Sequence, residues 1–213
     1  MTSPAPSPRT EIRRKPQRAH YDAATIAAIV DQALLCHVAF NDAGSVHCLP
    51  MACWRDGDYL YLHAANNSRI SRALMAGECA VTITHIDGLV LARSAFRHSM
   101  NFRSVVLYGS FAAVNPENDK KSAFAAFVDH VSPGRSALVR EPDAAELAGT
   151  TLLRLPLAEA AAKIRNWGVE DNAGDLDRPV WAGVIPLALQ AQPFQPDAAC
   201  AQTTPPTLPD FIK

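Results

Sequence analysis

Three groups of polar side chains in this chain have the types and spacing to hold a ligand. The first is the stretch His98 to Arg103, which sets Ser99, Asn101 and the Arg103 guanidinium between the apolar runs Leu89 to Ala92 and Val105 to Ala113. Those runs read as strands, and a sheet holds such a polar turn at its rim, where binding loops concentrate. Arg103 has two candidate partners, a phosphate or the carboxylate of Asp87. The second group is Ser68-Arg69, with Arg72 one turn further on. At the start of a helix, a hydroxyl, a charged fork and unpaired backbone N–H groups together make an anion site; a plain Ser cap with solvated arginines is the other reading. The third is Thr82 and Thr84, whose hydroxyls leave one face of a strand while Val81 and Ile83 leave the other. A β-branched surface ladder would carry the same pattern. Pro50 breaks the donor row of a strand-like run, so backbone groups around Pro50, Met51 and Ala52 are free to meet a ligand.

Histidine and cysteine offer less. Neither a His-x-x-x-His pair nor a His/Cys cluster at zinc spacing occurs, so no metal site is expected, although His47 and His63 would suit a shared cavity. One proximal histidine would suffice for haem. His37 and His85, each in an apolar strand, read as satisfied core or rim residues. The five cysteines, Cys36, Cys48, Cys53, Cys79 and Cys200, are odd in number and form no C-x-x-C pair. They read as reduced, mostly buried small hydrophobes rather than a disulfide framework.

The elements that must position these groups follow from periodicity. Asp22 is a suitable N-cap for a helix whose Ile26, Ile29, Val30, Ala33 and Leu34 form one stripe. Period two then takes over. Leu35 to Phe40 and Val46 to Trp54 flank a Gly-containing loop, and Asp56-Gly57 leads into Tyr59 to His63, giving two hairpin signals. A second helix begins at Asn67 or Ser68 and stops at Gly77, whose missing Cβ suits a left-handed C' position. Strands resume at Cys79, with Asp87-Gly88 as a turn into Leu89 to Ala92. Pro116 starts a third helix with Phe124, Phe127, Val128 and Val131 on one stripe, closed by Pro133-Gly134. On propensity the Ala-rich stretch Leu157 to Arg165 is helix. Six or more strands with few helices make the chain mainly β, a barrel or sandwich.

Read in order, Leu-Tyr-Leu-His at 60 to 63, Ser68-Arg69, Val-Thr-Ile-Thr at 81 to 84, Asp87 to Asn101 and Pro179 to Pro186 resemble the pyridoxamine 5'-phosphate oxidase-like family of FMN-binding split β-barrels. The branch is the one that includes nitroimidazole-resistance proteins, and the likeness runs from about Arg13 to Leu189. Phe102 departs from it, standing where that branch has Tyr. The resemblance implies a split barrel with peripheral helices and makes Ala160 to Arg165 a strand. It implies FMN as cofactor, with haem or deazaflavin as alternatives, in a homodimer with flavin sites at the interface. Ser68, Arg69 and Arg72 would meet the phosphate, and Pro50, Met51 and Ala52 would lie along the ring. Thr82, Thr84 and His63 would border it with Ser99, Asn101 and Arg103, while Trp181, after Arg178-Pro179 in the last strand, would reach across the dimer. The implied activity is oxidoreduction of a small molecule with a nicotinamide or other donor; a flavin carrier or redox sensor without turnover, or a haem-binding barrel, are the alternatives.

Composition bounds these expectations. With 213 residues, 48% hydrophobic, the chain can bury one substantial core. Twenty basic against 21 acidic residues give no global attraction to nucleic acid or anionic lipid. No apolar run has the length of a membrane span, and the charged first residues lack a signal-peptide core, so a cytoplasmic protein is expected. Residues 1–19 and the Pro-rich 191–213 bury too little apolar surface to fold alone and read as flexible flanks of a single domain over 20–190.

Overall fold

The alternation of apolar and polar residues between Leu35 and Arg165 folds this chain into two antiparallel sheets around a shared core. The computed structural model describes residues 3–202 and 204–212. A short strand β1 (Ala19–His20) and helix α1 (Ala23–Val30) lead into the hairpin β2 (Leu35–Asp42) and β3 (Ser45–Ala52). Next come β4 (Trp54–Asp56), β5 (Tyr59–Ala65) and helix α2 (Arg69–Ala76), then the long strands β6 (Cys79–Leu91) and β7 (Ser99–Gly109). Strand β8 (Ala112–Ala113), helices α3 (Glu117–Val131) and α4 (Ala144–Gly149), and strands β9 (Thr150–Pro156), β10 (Ala160–Arg165) and β11 (Gly183–Pro186) complete it.

The larger sheet runs β1-β10-β7-β6-β2-β3, with β11 also paired to β6; the smaller runs β4-β5-β9-β8. Inward residues of both sheets, among them Val38, Leu60, Leu62, Val81, Ile83, Val105, Leu107, Leu153 and Leu155, close on one another and on Ile26, Ile29 and Val30 of α1. A second cluster, Trp54, Tyr61, Val114 and Leu152, packs under Phe124 and Phe127 of α3. Among the described residues no helix is long and apolar enough to cross a membrane.

Local chemistry accounts for most boundaries. The Asp22 carboxylate accepts from Thr25 N–H at 2.8 Å and starts α1. Ala43 and Gly44, with φ of 50° and 82°, make the two-residue link between β2 and β3 that matches strand twist. In β10 the alanines are strand residues, as the resemblance implied and propensity did not: they pair with Val105, Val106 and Leu107 of β7. Ala160 and Ala162 are fully buried, and tertiary pairing outweighs a weak helical preference there.

Three expectations need correction. Asp87-Gly88 is not a turn: β6 runs through it and the register with β7 shifts between Ile86 and Gly88, which is a bulge. Glycine is needed because β11 passes so close that an added Cβ would lie 3.0 Å from the Ile185 carbonyl oxygen. Gly77 ends α2 in extended backbone, φ −150°, because the chain enters β6 directly. The last strand starts at Gly183, so Trp181 precedes it.

Outside the sheets, Arg9 clamps the N-terminal segment to the body. It donates to Glu159 at 2.8 and 2.6 Å and to Glu78 at 2.7 and 3.1 Å, with its guanidinium over the Tyr108 ring. At the other end, Ser132 donates to the Thr207 carbonyl at 2.8 Å, and the Phe211 ring lies 6.0 Å from that of His130.

Two outcomes follow. Leu62→Ala removes a fully buried side chain at the junction of the sheets and should cost about 2–5 kcal/mol in denaturant unfolding; a loss below about 1 kcal/mol would show that the core closes without it. Arg9 holds the Glu159 carboxyl down to about 2, so the clamp is fully present above the ordinary glutamate range and is lost as pH falls from about 4.5 to about 2. Amide exchange in residues 3–12 should accelerate across that window more than expected from intrinsic rates. Equal protection at both ends of the window would contradict the clamp.

Candidate functional site

One face of the larger sheet is left open by the alternation that builds the core. Cys36, Val38 and Phe40 of β2 point inward and are buried, so Leu35, His37 and Ala39 point outward. In register across the sheet, His37 lies opposite Pro50 of β3 on one side and Thr82 of β6 on the other. Thr84 lies opposite Ser104 of β7, which lies opposite Lys163 of β10. Pro50, His37, Thr82 and Thr84 thus share a continuous outer face with Leu35 and Ile86, which are 57% and 46% exposed. Among the described residues, the side chains of His37, Thr82 and Thr84 form no hydrogen bond, so they present unspent polar groups on a largely apolar surface.

Sequence reasoning placed Pro50, Thr82 and Thr84 here but treated His37 as a satisfied core or rim residue. The signal was present: His37 stands between the inward Cys36 and Val38, so parity alone sends it outward. Met51 is turned toward the core instead, packed against the main cluster, and Ala52 is half-buried at the strand end.

The remaining predicted residues divide between paired and unpaired groups. Ser68 caps α2, accepting from Ser71 N–H at 3.2 Å. Arg69 bonds the Asp42 carboxylate and lies 2.6 Å from His47 Nε2, so its charge is engaged at the far end of the β2–β3 hairpin. Arg72 is exposed and unpaired among the described residues. Arg103 takes the carboxylate of its two candidate partners, donating to both oxygens of Asp87 at 2.9 and 2.8 Å and to Gln32 at 2.8 Å. That pairing raises the Arg103 pKa above its ordinary value. Asn101 accepts from Arg165, and Ser99 is half-buried beside it at the start of β7.

Trp181 is 64% exposed and therefore not a core tryptophan; its ring lies over Gly183, where a Cβ would come within 2.9 Å. His63 is half-buried in the smaller sheet, with its ring 5.4 Å from Phe127 and 6.1 Å from Trp54. Its Nδ1 and the Trp54 Nε1 are buried without a partner. Cys36 and Cys53 are both buried in the core, and the neighbouring Cys53 thiol together with burial raises the Cys36 pKa. Burial pushes Cys79 up to about 11, so the Cys79 thiol stays protonated and unreactive.

Concavities near the open face are shallow. A hollow of about 300 Å³, lined by Arg9, Val46, Glu78 and Tyr108, borders it at Ala39 and Ala80. A groove of about 330 Å³ lies elsewhere, between α3 and the loop after it, lined by Phe124, Val128, Ser136 and Val139. Both sit at the lower limit of the space a cofactor occupies, about 300–1,000 Å³.

Comparison with known proteins adds the following. A family model described as pyridoxamine 5'-phosphate oxidase matches residues 22–164. The structure of the flavocytochrome Anf3 from Azotobacter vinelandii is similar at 36% identity, covering 98% of this chain and 96% of that one with a TM-score of 0.88. The FAD and haem binding protein from Mycobacterium smegmatis is similar at 31% identity over 91% of this chain and 95% of that one, TM-score 0.83. A candidate 5-nitroimidazole antibiotic resistance protein from Bacteroides thetaiotaomicron shares the fold at 20% identity, over 68% of this chain and 86% of that one, TM-score 0.58. No curated protein matches the chain.

Because His37, Thr82 and Thr84 are outward and unpaired, they contribute little to folding. His37→Ala, Thr82→Val and Thr84→Val should each change the unfolding free energy by less than about 0.5 kcal/mol. A loss of 2 kcal/mol or more, on the scale of about a core truncation, would mean that the face is packed in solution.

Proposed function

As the chain belongs to the pyridoxamine 5'-phosphate oxidase family, we propose that it is a redox protein that binds a flavin on the outer face of its larger sheet and also carries a haem. The observation that carries the flavin is the set of three unpaired polar side chains, His37, Thr82 and Thr84, on an exposed apolar face beside Pro50. The face suits a flat apolar ring whose edge needs hydrogen-bond partners. FMN was the flavin expected from the sequence; FAD is the better fit to the relatives, one of which is described as binding it. When bound, the flavin supplies hydride acceptance from a donor and onward delivery of electrons, and the haem a one-electron centre.

The chain's own task is then to hold and cover the ring. Thr82 and Thr84 hydroxyls would bond its edge, and the Pro50 segment would lie along it. A shallow hollow does not enclose a flavin, and Leu35 and Ile86 leave the face wet and apolar. A second copy of the chain would cover both, and the exposed Trp181 would serve that partner. For haem, the residue that fits is His63, whose imidazole forms no hydrogen bond among the described residues and lies against the apolar rings of Trp54 and Phe127.

The purified protein should show flavin absorption that bleaches with NADH or NADPH, together with a Soret band; colourless protein that takes up neither group would overturn the reading. Thr82→Val combined with Thr84→Val should weaken flavin binding by about ten- to thirtyfold, two neutral hydrogen bonds at about 1 kcal/mol each, read by fluorescence titration. His63→Ala should abolish the Soret band and leave the flavin bands. Flavin and dimer should also be lost together on dilution in sedimentation, and a flavin-loaded monomer would contradict the shared site.

A further inference from the structure

Where β10 ends, Arg165 and Trp167 meet Arg18 from the far end of the chain and gather positive charge with no carboxylate at ion-pair distance among the described residues. The Trp167 indole contacts two guanidiniums, with Cζ of Arg18 and Cζ of Arg165 each 4.7 Å from its ring centroid. Arg165 is 2% exposed and spends its donors on neutral acceptors only, the Asn101 side-chain oxygen, Trp167 O at 2.6 Å and Gly168 O at 2.8 Å. The Arg18 Nε and the Trp167 Nε1 are buried donors without any partner.

Buried charges are ordinarily paired. Arg93, with its side chain 28% exposed, follows that rule and bonds the Asp171 carboxylate at 2.9 Å. Around Trp167 the rule fails. Among the described residues, neither Arg18 nor Arg165 has a carboxylate within ion-pair distance, nor does Lys163, which donates to the Arg14 carbonyl at 3.1 Å. A single cation over a ring is common; two like charges against one ring repel each other and favour a compensating anion. Burial, then the charge of Arg18, lower the Arg165 pKa, and the distant Glu170 opposes this only weakly.

The cluster borders the open face described above. Thr84, Ser104 and Lys163 lie in one row across β6, β7 and β10, and Arg165 is two residues beyond Lys163 on the same side. Two strand spacings, about 10 Å, separate the β6 and β10 ends of that row. That is about the reach from a ring over Thr84 to the phosphate on its side chain. By contrast, Arg69 already has Asp42 beside it, and an anion there would face that carboxylate.

We propose that Arg18, Trp167 and Arg165 form a binding site for the phosphate or pyrophosphate group of a nucleotide, with the Arg18 Nε–H and the indole N–H as donors and Arg165 as the fixed charge. The nucleotide is either the flavin itself or a nicotinamide donor, and as to that source the proposal rests on the redox reading above.

Titration of the ¹⁵N-labelled full-length protein with inorganic pyrophosphate tests it. The Trp167 indole N–H signal, assigned with Trp167→Phe, should move saturably. Arg18→Gln, at a half-exposed residue whose side chain makes no hydrogen bond, should keep the fold and weaken that response by about tenfold or more, whereas Arg69→Ala should leave it unchanged. FAD displacing pyrophosphate would assign the site to the flavin, and NADPH displacing it would assign it to the donor. An unmoved Trp167 signal, an equal response in Arg18→Gln, or displacement by neither nucleotide would overturn the proposal. A protein that ignores FAD but whose pyrophosphate is displaced by NADPH would defeat the flavin reading and leave this site standing.

Discussion

Val81 and Ile83 cannot reach the core without sending Thr82 and Thr84 to the opposite face of the same strand. That constraint governs the molecule, because β6 is the strand on which the larger sheet is assembled: it pairs with β7 along its length and with β2 and β11 on its other edge. A slip of one residue would bury two hydroxyls and expose two aliphatic side chains, and every row of the outer face would change with it. Core packing therefore fixes the outer face as a by-product. The bulge at Asp87-Gly88 adds one device, turning the Asp87 carboxylate to Arg103 while leaving room for β11 at Gly88.

The outer face is graded. Toward β2 and β3 it is neutral and apolar, with His37, Pro50, Thr82 and Thr84; toward β10 it becomes cationic, with Lys163, Arg165 and Arg18. A nucleotide has the same grading, a flat ring at one end and phosphate at the other. The face is open and its hollows are shallow. Arg69, Arg103 and Arg9 are each tied to carboxylates. Lys163, Arg165 and Arg18 have none at ion-pair distance among the described residues.

Much of this was legible in the residues, and the failures have physical causes. Alternation at 81 to 84 gave the faces of β6 correctly, and Asp22 and Ser68 cap helices as read. A bulge and a turn carry the same Asp-Gly signature, so Asp87-Gly88 was open to misreading until the register was known. Strand β9, Thr150–Pro156, shows no alternation because β5 and β8 flank it and Leu152 and Leu153 both serve buried clusters. The Arg18, Trp167 and Arg165 cluster has no local signal at all, since it exists only once β1 is laid beside β10. His37 was different: its parity was visible, and only the habit of burying strand histidines hid it. Arg103 had two partners in prospect, and geometry chose Asp87.

The claim that the outer face of the larger sheet holds the flavin ring is tested most directly by mapping amide chemical shifts during FAD titration of the labelled protein. The account predicts that the largest saturable changes cluster at His37, Met51, Thr82, Thr84 and Ser104, with α3 unmoved. Changes confined instead to the groove at Phe124, Val128 and Ser136 would contradict it.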